Sequence, residues 1–106
     1  MLHALATFQR IPSIGAKMAT NMVDKLGIYS LEELKNKNGA ELLNALEREL
    51  GFWIDPCAED QIRCIVHYAI NPESDKYWYD FTEERKLYRT KYGYPASRPK
   101  KAWYDN

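Results

Sequence analysis

Three residues near the middle of the chain invite a chemical reading first. Cys57, Cys64 and His67 form C-x6-C-x2-H, with Asp55 and His3 as further candidate ligands. On a helix, Cys64 and His67 share a face. Cys57 lies about 10 Å of rise before Cys64, too far for a disulfide or for one zinc, unless it is displaced at a frayed helix start. The close cysteine pairs of structural zinc sites are missing. Cys57 does stand near a helix N-terminus, a place that lowers a thiol pKa and raises reactivity. The plain alternative makes Cys64 a small core residue and His67 a half-exposed polar tip. No recognisable nucleophile frame, G-x-x-x-x-G-K or G-x-S-x-G occurs. The expectation is therefore a non-enzyme with no metal and no cofactor.

Two other groups of residues suit an anionic partner. The first is Pro12-Ser13-Ile14-Gly15-Ala16-Lys17. Amides at the start of a helix carry unpaired N–H groups and the positive end of the dipole. Gly15 permits close approach of a phosphate, and Lys17 adds a full charge. The second is the stretch 85–101, which carries Arg85, Lys86, Arg89, Lys91, Arg98, Lys100 and Lys101 and no acid, with Tyr88, Tyr92 and Tyr94 between them. Arg85 and Arg89 are four apart and share a helix face, with Lys86 beside them. Bases neutralise phosphates and rings stack on unpaired nucleobases. The alternative is a solvated helix face with dipole-matched charges, and aromatics that pack rather than bind.

These residues need elements to hold them, and the periodicity predicts an all-α chain of about five to six short helices. Leu2, Leu5 and Ala6 form a short helical face ending near Phe8. Ile11 to Gly15 interrupts it, and Met18, Ala19, Met22, Val23 and Leu26 resume it up to Gly27. Ser30 and Glu33 read as a capping box opening a short helix. Asn38 caps a helix carrying Leu42, Leu43, Leu46 and Leu50, closed by Gly51. Asp55-Pro56 starts the core helix, Ile62 to Ile70, which ends before Pro72. Thr82 is the expected cap of a last helix, Glu83 to Tyr92, with Gly93 after it. Tyr77 to Phe81 reads as a clamp against the core helix. Pro95 to Asn106 reads as an extended tail anchored by Trp103 and Tyr104.

Phe8-Gln9-Arg10-Ile11-Pro12-Ser13-Ile14-Gly15-Ala16-Lys17-Met18-Ala19 resembles the helix-hairpin-helix motif, and Leu26 to Leu34 resembles the segment that commonly follows it. The resemblance implies sequence-independent contact with DNA phosphates. Ser13 departs from it, because DNA-binding hairpins usually carry glycine there and serine tolerates positive φ poorly. Asp55-Pro56-Cys57, Arg63 to Ala69 and the Trp-rich segment beyond resemble the small bacterial "pathogenicity locus" family of helix-hairpin-helix proteins over nearly the whole chain. The hairpin domain is also similar to the C-terminal domain of the competence regulator TfoX. The implied organisation is a SAM-like helix-hairpin-helix domain over 1–72, with a C-terminal helix and an aromatic, basic extension over 73–106 packed on it.

Bulk composition frames these expectations. The chain has 106 residues, 45% hydrophobic and 28% charged, values of one ordinary globular domain. No apolar run is long enough for a membrane span, and Met1 to Phe8 lacks the features of a secretory signal. Two cysteines fit a cytoplasmic protein with reduced thiols. The formal net charge of zero hides a segment 73–84 of net −4 against the segment 85–101 of net +7. The leading expectation is a DNA-binding module contacting the phosphate backbone through Pro12 to Lys17 and through Arg85, Lys86 and Arg89. The alternative is a protein-interaction module whose Tyr- and Trp-rich last third is the contact surface.

Overall fold

The computed structural model describes residues 2–105. The Leu2 side chain and Asn106, which belong to the expected first helical face and tail, lie outside the described residues. The described chain is helical. Helix α1 spans Leu2–Gln9, α2 Ala16–Thr20, α3 Gly39–Leu50, α4 Pro56–Ile70 and α5 Thr82–Tyr92. Single 3₁₀ turns occupy Glu32–Leu34 and Trp78–Phe81.

Local chemistry accounts for most boundaries. Asn38 Oδ1 accepts the Ala40 and Glu41 N–H groups at 2.8 and 3.2 Å and starts α3. Gly51, left-handed at φ 80°, ends it. Asp55 Oδ1 accepts the Cys57 N–H at 2.8 Å, and Pro56 occupies the first turn of α4. Asn71 then adopts φ −129°, ψ 84°, because the following Pro72 disfavours helical backbone at the residue before it.

Helix α4 is the axis of packing. Its Ile62, Cys64, Ile65 and Ala69 join Leu42, Leu43 and Leu46 of α3, Phe8 of α1, and Met18, Ala19, Met22 and Val23 in one core. Phe81 belongs to the same core, so the 3₁₀ turn before α5 is stitched to the earlier helices. The start of α3 lies against α4. A Cβ on Gly39 would stand 2.8 Å from Arg63 Cγ and 3.3 Å from Arg63 Cα.

Four expectations are corrected. The helix from Ala16 does not run regularly to Leu26. After Thr20 it widens into a π turn, Asn21–Lys25, with the Leu26 N–H bonded to the Asn21 carbonyl at 3.2 Å. Ser30 does not accept from the Glu33 backbone. Its hydroxyl and the Tyr29 N–H both donate to Glu33 Oε2 at 3.0 Å. Thr82 lies inside α5 rather than capping it, since its hydroxyl donates to Asp60 at 2.8 Å. Although Tyr104 stands edge-on to Trp53, the tail is not anchored by burial of the Trp103 and Tyr104 rings, which are 51% and 63% exposed. It is held by Ala102, which is buried and pairs with Trp53 in an isolated parallel bridge. The Trp53 N–H donates to the Lys101 carbonyl, and the Trp103 N–H to the Trp53 carbonyl, each at 2.8 Å.

Among the described residues, no helix is long and apolar enough to cross a membrane.

Candidate nucleic-acid interface

The turn between α1 and α2 is pegged by two isoleucines. Ile11 and Ile14 are buried, and the Ile14 N–H donates to the Ile11 carbonyl at 3.1 Å. With those two side chains inward, Ser13, Gly15, Ala16 and Lys17 are exposed and Pro12 is half-buried. Ser13 carries the strain. Its φ is 70°, the left-handed region that costs a non-glycine residue about 1–2 kcal/mol. Gly15 is extended at φ −95° and has open space where a side chain would grow. The positive φ expected to need glycine therefore falls on Ser13, and the chain adopts it there.

Gly15 precedes α2 with no side-chain cap. Among the described residues, the N–H groups of Gly15, Ala16, Lys17 and Met18 find no acceptor. Ser13, the nearest hydroxyl, is engaged elsewhere and accepts the Trp78 N–H at 2.9 Å.

The basic stretch divides by residue type. Its lysines, Lys86, Lys91, Lys100 and Lys101, are exposed, and Lys86 approaches Glu83 only at 3.8 Å. Its arginines turn inward to acids that are fully buried. Arg85 Nε donates to Asp60 Oδ1 at 2.9 Å and Arg85 Nη2 to Oδ2 at 3.3 Å. Arg89 Nε donates to Glu59 Oε1 at 2.8 Å, and its Nη2 reaches the Ala40 carbonyl and Asn44 Oδ1 at 3.2 and 3.1 Å. Arg98 makes a two-pronged pair with Glu47 at 2.7 and 2.9 Å. The hydrogen bond to Asp60 raises the Arg85 guanidinium pKa, and at Arg98 the lowering effect of burial is outweighed by the raising effects led by the Glu47 hydrogen bond and charge. The expectation that Arg85 and Arg89 face a phosphate is corrected on this ground. Buried carboxylates require paired, hydrogen-bonded partners, and these arginines supply them.

Glu47, Glu59, Asp60 and Arg98 escaped the sequence reading as a set. A signal was present in the choice of arginine over lysine at 85, 89 and 98, since the guanidinium fork matches a buried carboxylate. Tyr94 completes the cluster, with Arg98 Cζ 3.7 Å and Arg89 Cζ 4.1 Å from its ring centre.

The cysteines are electrostatically quiet. Burial and the Asp55 carboxylate raise the Cys57 pKa, the reverse of what a bare helix start would do. Burial pushes the Cys64 thiol up to about 11, and its Sγ donates to the Lys76 carbonyl at 3.6 Å. The His67 ring packs on Phe81 at 5.4 Å. Among the described residues, no three His, Cys, Asp or Glu side chains are grouped to hold a metal.

A groove of about 590 Å³ opens beside the turn, with Lys17 and Trp103 among its walls. Elsewhere, Tyr77 and Tyr79 form an exposed tilted pair with ring centres 5.5 Å apart.

A family described as "Pathogenicity locus" matches residues 2–87. The chain belongs to the pathogenicity-locus family. The match runs from α1 into α5, so this pathogenicity-locus chain draws Arg89 and Arg98, two of its buried-acid partners, from beyond the matched residues. Comparison with curated proteins and with solved structures gives no match.

Proposed function

We propose that this protein is a non-catalytic, sequence-independent DNA-binding module of helix-hairpin-helix type, whose Pro12–Lys17 turn receives a backbone phosphate. The observation that carries the reading is the row of acceptor-free amides from Gly15 to Met18 beside the exposed Lys17. Backbone donors and a positive helix end favour an anion, and Lys17 turns that preference into a counter-charge. Lys86 is the second contact. Arg85 and Arg89 drop out of the footprint because their charge is consumed inside the fold.

The test is a mobility-shift titration at low salt with single- and double-stranded DNA. Binding should weaken as salt rises and should fall sharply in Lys17→Glu. Absence of binding to either polymer removes the reading.

A second reading, a protein-contact surface, draws support from the exposed Tyr77 and Tyr79, since tyrosine is enriched at interfaces. Concentration-dependent mass in light scattering, lost in a Tyr77→Ala/Tyr79→Ala variant with DNA binding intact, would favour it.

A further inference from the structure

The groove beside the turn has a shape and lining that phosphate binding alone does not use. Its volume, about 590 Å³, falls within the ~300–1,000 Å³ range of sites that enclose small ligands. Lys17 and Asn21 contribute from α2 and its π turn, Phe52 from the α3–α4 link, Asp55 and Gln61 from the start of α4, and Trp103 from the tail.

The lining suits a flat heterocycle with an anion attached. Trp103 leaves 51% of its surface open. Its ring is braced from the tail side by Tyr104, edge-on at 5.5 Å and 86°, and Tyr104 is in turn edge-on to Trp53 at 5.7 Å. The side-chain amides of Asn21 and Gln61 have no hydrogen-bond partner among the described residues, and Lys17 has no ion-pair partner there. Asp55 supplies a carboxylate able to accept from an exocyclic amino group. Aromatic faces, amide edges, one acceptor and one cation are what a nucleobase with its phosphate requires. A base inside a duplex is stacked and paired and cannot enter a groove.

We propose that the groove takes an unpaired base of a single strand, whose neighbouring phosphate lies on Lys17. The proposal rests on the phosphate-binding reading above and adds to it the class of polymer.

The experiment titrates the full chain with a short mixed-sequence single-stranded DNA and with its duplex, and follows alkylation of Cys57, which lines the same groove. Cys64 is buried and serves as the internal control. The expected result is a preference for the single strand of about tenfold or more, lost in Trp103→Ala with duplex affinity unchanged. Single strand should slow Cys57 alkylation and duplex should not. Gln61→Ala should lower single-strand affinity in the same direction, which keeps the test open if Trp103→Ala fails to fold. Equal affinity for the two polymers, with Trp103→Ala silent and Cys57 unprotected, overturns the base groove and leaves the phosphate reading standing. Protection of Cys57 by an equal concentration of free mononucleotide assigns the groove to a soluble nucleotide and overturns the strand. Absence of binding to both polymers overturns the phosphate reading itself, and the groove proposal with it.

Discussion

The Ser13 hydroxyl accepts the backbone N–H of Trp78 at 2.9 Å across 65 residues of sequence. The contact ties the α1–α2 turn to the 3₁₀ turn that precedes α5. It explains how serine persists at a left-handed position. The hydrogen bond returns about 0.5–1.5 kcal/mol, comparable to the cost of the backbone conformation. Ser13→Ala keeps the strain and loses the bond, so it should destabilise the protein by about 1 kcal/mol. Ser13→Gly loses both, and should fall within about 0.5 kcal/mol of the parent. Urea denaturation of the two variants measures the difference.

Arg89 is 7% exposed at its side chain and shares the fully buried Glu59 with Arg63. Arg89→Ala should cost about 1–3 kcal/mol, because Glu59 loses one charged hydrogen-bond partner but keeps Arg63, whose guanidinium pairs with Oε2 at 2.9 Å. Lys86→Ala should change stability by no more than about 0.5 kcal/mol. If Lys86 contacts a phosphate, its loss should lower the salt slope of DNA binding by about 1. Thermal unfolding and salt-dependent titration separate the two roles.

Arg98 and Glu47 offer a cycle that isolates one charge. Arg98→Ala leaves Glu47 with only the Ile54 N–H, which it accepts at 2.9 Å, and should cost about 3 kcal/mol or more. Adding Glu47→Gln removes the stranded charge. The double variant should then be more stable than Arg98→Ala alone. A double variant as unstable as the sum of the single changes would mean that the two side chains act independently.

The Cys64 thiol sits at about 11 in the fold, against 9.0 unperturbed. A raised acid pKa means that the folded protein holds its proton where the unfolded chain has released it. Stability from this group is complete below pH 9 and is lost as pH rises from about 9 to about 11. Cys64→Ala should lack that component, so the difference between parent and variant should shift across this window in denaturation curves. At pH 8, folded Cys64 should resist thiol reagents, and Cys57 should react more slowly than a free cysteine.

The helix ends were legible because each rests on chemistry within a few residues, as at Asn38, Asp55-Pro56 and Gly51. The buried ion pairs were not. Glu59 and Asp60 stand in the first turns of α4, where acids complement a helix dipole even when solvated. Glu59 has one partner, Arg63, four residues on, but its other partner Arg89 and the Asp60 partner Arg85 lie 30 and 25 residues away. Thr82 was misplaced for the same reason, since a hydroxyl suited to capping was drawn instead to Asp60. At the turn, the departure from glycine at Ser13 marked the position of positive φ, and the structure has it there, at φ 70°. The partner that holds Ser13 there was not legible, because the Trp78 N–H comes from 65 residues away.

The buried acids also set an order of events during synthesis. Glu47, Glu59 and Asp60 leave the ribosome before the arginines that neutralise them, and the longest wait, from Glu47 to Arg98, is 51 residues. At roughly 5–20 residues per second, that wait lasts about 3–10 s. Until then, closing the core around Glu47 would trap a naked charge. The core around Glu47 therefore gains its counter-charge only after all five helices have been made.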